Sequence, residues 1–136
     1  MVFIVDDSKA LRARLVELLS EIEGVSIVGE ARTAEEAIEG IRRLRPRVVI
    51  LDIQMPGGSG LEVLKAVKGE ADAPIVLMLT NHPYPQYRTK CFALGADYFL
   101  DKTRDFDKLT GIFSCLFKRF DAPVVEALPG NFGGDM

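Results

Sequence analysis

Val48-Val49-Ile50-Leu51-Asp52-Ile53-Gln54-Met55-Pro56-Gly57 begins as an unbroken apolar run and turns polar and Pro-Gly-rich at its end. A strand with one face in water alternates apolar and polar residues, so a continuous run of this length predicts a strand buried on both faces. Val2 to Val5 and Ile75 to Leu79 read the same way. Val25 to Glu30 alternates more weakly and suits a sheet edge, and Tyr98 to Leu100 is a short fifth candidate.

Amphipathic stretches separate these runs. Leu11, Leu15, Leu18, Leu19 and Ile22 recur at helical spacing, as do Ala37, Ile38, Ile41 and Leu44. Thr33 with Glu36, and Ser59 with Glu62 ahead of Leu61, Leu64 and Val67, carry the signature of a capping box. Tyr87, Cys91 and Leu94 mark a fourth helix stopping at Gly95, and Phe106, Leu109, Ile112, Phe113, Leu116, Phe117 and Phe120 mark a fifth. Strict strand–helix alternation predicts an α/β fold, a mainly parallel sheet with helices on both faces. Right-handed crossovers and short connections leave the doubly wound architectures as the simplest solutions.

Composition narrows the function. The chain has 136 residues, room for one domain, with 48% hydrophobic and 27% charged residues, as in an ordinary globular protein. A formal net charge of −3 gives no basic excess for direct DNA binding. No apolar run approaches the ~20 residues of a membrane span, and the N-terminal residues lack a basic region and cleavage site, so a cytoplasmic protein is expected. Cys91 and Cys115 lie far apart in helical stretches and read as reduced packing residues. Residues 121–136 lose periodicity and read as a flexible tail.

Ligands of open α/β sheets bind beyond the carboxyl ends of the strands. The first strand ends in Asp6-Asp7, the third in Asp52, the fourth in Thr80, and the fifth runs into Lys102. In a sheet of order 2-1-3-4-5 these strands are neighbours and the polar groups meet at one rim. Two carboxylates ~5 Å apart repel by roughly 3 kcal/mol at an effective dielectric of about 20, so three together call for a cation. Mg²⁺, with Mn²⁺ able to substitute, is a hard ion suited to carboxylate oxygens and phosphate. A carboxylate is also a competent covalent nucleophile toward phosphorus. Singly, each residue has an ordinary reading: Asp6 or Asp7 as cap of the first helix, Asp52 and Thr80 in turns, Lys102 as a solvated charge. Their joint placement favours chemistry.

The segments Val5-Asp6-Asp7-Ser8, Leu51-Asp52-Ile53-Gln54-Met55-Pro56-Gly57, Leu79-Thr80 and Gly95-Ala96-Asp97-Tyr98-Phe99-Leu100-Asp101-Lys102 resemble the receiver domain of two-component response regulators, of the stand-alone CheY-like type. The resemblance covers about residues 1–120 and implies a flavodoxin-like (βα)5 domain. It implies that Asp52 receives a phosphoryl group from a histidine kinase or phosphotransfer protein. Asp7, Asp52 and the backbone carbonyl of Gln54 would ligate Mg²⁺, with Asp6 acting largely through water. Thr80 and Lys102 would contact phosphoryl oxygens, and Phe99 would turn inward when Thr80 moves. Gln54 and His82 stand where the family tunes phosphate lifetime, although His82 read alone is an exposed loop residue. A downstream protein would dock on about residues 83–120, with the chain a monomer or weak homodimer and not itself an enzyme.

This sequence departs from the family pattern in Asn81 after Thr80, in Thr103 where proline usually follows the lysine, and in His82-Pro83-Tyr84-Pro85. No DNA-binding or enzymatic output domain is expected, in keeping with a receiver of the stand-alone type. Other readings fit less well. A haloacid-dehalogenase-type phosphatase resembles Asp-x-Asp on the first strand, and a flavin binder needs a Ser/Thr/Gly phosphate loop there. A phosphorylation-independent adaptor would not need all five polar residues.

Overall fold

The computed structural model describes the backbone of residues 1–121 and the side chains of residues 1–117. In chain order the elements are β1 (Val2–Val5), α1 (Lys9–Ser20), β2 (Ile27–Ala31), α2 (Ala34–Leu44), β3 (Val48–Leu51), β4 (Gln54–Met55), β5 (Gly58–Ser59), α3 (Gly60–Lys68), β6 (Ile75–Thr80), α4 (Pro85–Ala93), β7 (Tyr98–Asp101) and α5 (Lys108–Asp121). The main sheet is parallel and runs β2-β1-β3-β6-β7, which among its five strands is the order 2-1-3-4-5. The weakly alternating strand sits at the edge as expected. The β4–β5 hairpin is antiparallel and was not legible in the apolar pattern, because it is only two residues a side and turns at Pro56-Gly57, where Gly57 takes φ +76°.

Successive strand residues point to opposite faces, and two cores result. Phe3, Val5, Val49, Leu51, Val76 and Met78 pack on one face with Ala37, Ile41, Val63 and Val67 of α2 and α3. Val2, Ile4, Val48, Ile50, Leu77 and Leu79 pack on the other with Leu15, Leu19, Leu109 and Phe113 of α1 and α5. Both faces being covered is why these strands are apolar without interruption. Truncating a leucine as buried as Leu19 or Leu64 costs about 2–5 kcal/mol.

The caps follow the sequence with one shift. Ser59 and Glu62 form the expected capping box of α3. Thr33 caps α2, but the Glu36 carboxylate accepts the Arg32 N–H instead of closing a box on Thr33. Pro85 occupies the first turn of α4, where its missing N–H costs nothing. Among the helix-five aromatics, Phe113 and Phe117 are buried, and Phe106 precedes the helix, half-buried under the Arg14 guanidinium. The Phe120 side chain and the stretch read as a tail from residue 122 onward lie outside the described residues. Cys91 is a packing residue, but Cys115 is exposed, because it falls off the stripe that α5 turns toward the sheet. Among the described residues no helix is long and apolar enough to cross a membrane.

Candidate functional site

Strand register builds the cleft. Val5 lies opposite Leu51, so the next residues, Asp6 and Asp52, leave adjacent strands side by side. The Asp52 N–H extends the ladder by donating to the Val5 carbonyl at 3.1 Å. Across β6, Thr80 lies opposite Asp101, which puts Lys102 one step beyond the end of the sheet, where its N–H donates to the Thr80 carbonyl at 2.9 Å. Asp6, Asp7 and Asp52 each offer a carboxylate oxygen within 4.8 Å of the others.

Neither aspartate of the pair caps α1. Ser8 does, accepting the Leu11 N–H at 3.2 Å, while Asp6 Oδ1 accepts the Ser8 N–H at 2.9 Å. The hydroxyl thus takes the helix duty and leaves both carboxylates toward the rim. Asp6 is buried, Asp7 is exposed, and Asp52 is buried. Lys102 Nζ bridges the buried two, 2.7 Å from Asp6 Oδ2 and 3.2 Å from Asp52 Oδ2. Asp52 Oδ1 accepts the Ile53 N–H at 2.8 Å. Burial holds the Asp52 carboxyl above the ordinary aspartate range; Lys102 opposes that and the nearby Asp6 charge adds to it. Burial pulls the Lys102 ammonium down, yet its bond to Asp6 and the charges of both carboxylates outweigh this and raise it.

Asp7, Asp52, Gln54, Asn81, His82 and Lys102 share a cleft of about 440 Å³ open to solvent. His82 is half-buried there and not a free loop tip. Its N–H donates to Thr80 Oγ1 at 2.9 Å, so the fully buried Thr80 hydroxyl is engaged by its own loop. Phe99 is buried, its ring 6.4 Å from that of Phe92, with the Arg88 guanidinium over both. Every residue singled out from the sequence except Phe99 therefore gathers at one end of the sheet.

Two residues escaped the sequence reading. A Cβ on Gly60 would stand 1.8 Å from the Asp52 carbonyl oxygen, so a side chain there would displace the backbone that carries Asp52. The Gly60 N–H donates to Ile53 at 2.7 Å, closing that turn. Asp105 is buried after Lys102, and its carboxylate accepts the Asp101 N–H at 3.0 Å. An acidic residue three positions past the lysine carries no periodic signal.

Hard oxygen donors so close together fit a divalent cation such as Mg²⁺. Known proteins share this fold and sequence pattern. Residues 2–123 match the response regulator receiver domain. An uncharacterized response regulatory protein of Yersinia pestis is 41% identical over 108 residues, covering 79% of this chain and 44% of that protein. Response regulator GacA of Pseudomonas protegens is 30% identical over 129 residues, covering 91% and 59%. The chain thus spans about half the length of these curated relatives. Among solved structures, the response regulator domain of Thermotoga maritima CheB superposes with a TM-score of 0.76 at 26% identity, covering 87% of this chain and 92% of that one. A chain of the CheX–CheY–BeF3–Mg²⁺ complex of Borrelia burgdorferi gives 0.77 at 29% identity, covering 85% and 87%. With that fold, an acidic cluster at the carboxyl end of its sheet and a match along nearly the whole described chain, this protein belongs to the response regulator receiver domain family of two-component signalling.

Proposed function

We propose that Asp52 accepts a phosphoryl group from a histidine kinase or phosphotransfer protein in a Mg²⁺-dependent reaction, and that the phosphorylated form signals to another protein or passes the group along a relay. The observation that carries this reading is the convergence of Asp6, Asp7 and Asp52 within 4.8 Å, with Lys102 on the same carboxylates. Asp7, Asp52 and the Gln54 carbonyl would hold the metal, and Asp6, already bonded to Lys102 and the Ser8 N–H, would act through water. Mg²⁺ when bound supplies positive charge that neutralises phosphoryl oxygens.

The remaining roles belong to the chain. A carboxylate oxygen of Asp52 attacks phosphorus, a P–O bond forms, and the P–N bond of the phosphohistidine breaks with its electron pair left on the imidazole. Lys102 turns from carboxylate to phosphoryl oxygen without leaving the cleft. Thr80, the last residue of β6, donates its hydroxyl to another oxygen, and the ring of Phe99, already buried in this structure, adjusts to that movement. His82 and Gln54, at the mouth of the cleft, govern access of the water that ends the phosphorylated state. About residues 83–120 form the partner surface of a cytoplasmic, monomeric or weakly dimeric protein that does not itself bind DNA, within a receiver unit of residues 1–120.

Acetyl phosphate with Mg²⁺ followed by intact mass tests the first step. Wild type gains the mass of one phosphoryl group and Asp52→Ala gains none. An unmodified wild type, under conditions that label a control receiver, removes the basis of the reading.

A further inference from the structure

The loop that carries Lys102 has Thr103 next to the lysine, so no proline ring fixes its path. Two aspartates hold it instead. Asp101 Oδ1 accepts the N–H groups of Thr103 at 2.8 Å and Arg104 at 3.3 Å. Asp105 Oδ2 accepts the Asp101 N–H at 3.0 Å, and the Asp105 N–H returns a bond to the Asp101 carbonyl at 2.9 Å. Four bonds thus close five residues around Lys102, whose own N–H is fixed to the Thr80 carbonyl.

Asp105 could be no more than a cap for α5, but its bonding argues otherwise. A capping carboxylate accepts N–H groups ahead of it in the helix. The Oδ2 of Asp105 reaches backward, to the last residue of β7. It is 5% exposed, and its Oδ1 pairs with Lys108 at 3.0 Å and Arg104 at 3.5 Å, so that its bonds outweigh the effect of burial. A carboxylate covered by the loop whose backbone it bonds is placed to shape that loop.

We infer that Asp101 and Asp105 are positioning residues which lock the β7–α5 loop and so hold the Lys102 ammonium against Asp52. The locking itself is independent of what Asp52 does; its consequence for phosphoryl transfer rests on the reading proposed above.

Two readouts separate these levels. In metal-free protein, ¹³C relaxation gives the order parameter of the Lys102 ε-methylene, with exposed Lys65 as reference. Wild type should show a restrained Lys102, and Asp105→Ala and Asp101→Ala should move it toward Lys65. Values unchanged in both variants overturn the inference. In the second readout, acetyl phosphate labelling rates are compared in a double-mutant cycle. Asp105→Ala should slow labelling by about tenfold to a hundredfold in the wild-type background. In the Lys102→Ala background it should change the rate by less than about twofold. Equal losses in both backgrounds overturn the inference, since the loop would then act through general stability. If Asp105→Ala does not fold, Asp101→Ala, altering a half-exposed side chain, carries both measurements. A wild type that never labels defeats the reading of Asp52, and the relaxation data still decide whether the loop is locked.

Discussion

Replacing Lys102 with alanine isolates the electrostatics that hold the cleft together. The ammonium lies 2.7 Å from Asp6 Oδ2 and 3.2 Å from Asp52 Oδ2. At an effective dielectric of about 20, such separations correspond to gross attractions of about 6 and about 5 kcal/mol. Most of that offsets the cost of taking the charges out of water, so the net worth of the triad is much smaller. Removing the cation alone is a different operation. It leaves two buried carboxylates facing each other, and breaking a buried pair this way costs about 3–5 kcal/mol. The protein can limit the loss by protonating Asp52, whose carboxyl burial already holds high. A carboxyl raised in the folded state is penalised only as pH climbs above its unfolded value. The destabilisation should therefore be small near about pH 4 and approach about 3 kcal/mol at neutrality. Mg²⁺ should restore part of it by binding only the folded form, by about 2.7 kcal/mol at a hundredfold excess over Kd. Urea unfolding of both proteins at the two pH values, with and without Mg²⁺, measures this. A loss independent of pH and of metal would refute the electrostatic account and assign the effect to lost packing of the lysine stem.

Gly60→Ala should destabilise by about 3 kcal/mol or more, because the new Cβ would overlap the Asp52 carbonyl 1.8 Å away; a thermal midpoint equal to wild type contradicts that. Burial pushes the Cys91 thiol up to about 11, whereas Cys115 is exposed. A thiol reagent should therefore modify one cysteine rapidly in native protein and none in Cys115→Ser, and two rapid modifications would count against this packing. The Asp101 N–H, then Lys108, hold the Asp105 carboxyl below its ordinary range, so its stabilisation is complete above about pH 4 and lost as pH falls through the folded value. Asp105→Asn should accordingly lose its stability deficit as the solution is acidified, and a deficit constant with pH would speak against it.

The sheet was readable because one physical constraint shapes it throughout. A strand covered on both faces cannot carry polar residues, so Val2 to Val5, Val48 to Leu51 and Ile75 to Leu79 announce themselves, and the polar residue after each run marks the rim. Register then does the rest, since Val5 opposite Leu51 brings Asp6 beside Asp52. What the pattern could not disclose depends on single contacts. The β4–β5 hairpin, the choice of Ser8 over an aspartate as cap, and the backward bond of Asp105 are each decided by one or two hydrogen bonds. Cys115 was misjudged because a helix of fourteen residues offers several positions flanking its buried stripe, and only packing distinguishes them.

The resting arrangement also bears on how small the energetic step of signalling would be. With Asp52 unmodified, Lys102 is shared between two carboxylates and the Thr80 hydroxyl accepts the His82 N–H. A phosphoryl group on Asp52 would replace one negative charge with about two and add acceptor oxygens. Lys102 would then be drawn away from Asp6, at little cost because it exchanges one anion for a stronger one. Thr80 would donate its free O–H to a charged oxygen, a bond worth about 1.5–3 kcal/mol, and a shift of the side chain to do so would release the accepted His82 N–H, worth about 0.5–1.5 kcal/mol. The difference is on the order of 1 kcal/mol, enough to shift a two-state population several-fold but not to abolish the minor state. A loop held by one such bond is therefore suited to switching, while the Lys102 loop, closed by four, is suited to staying still.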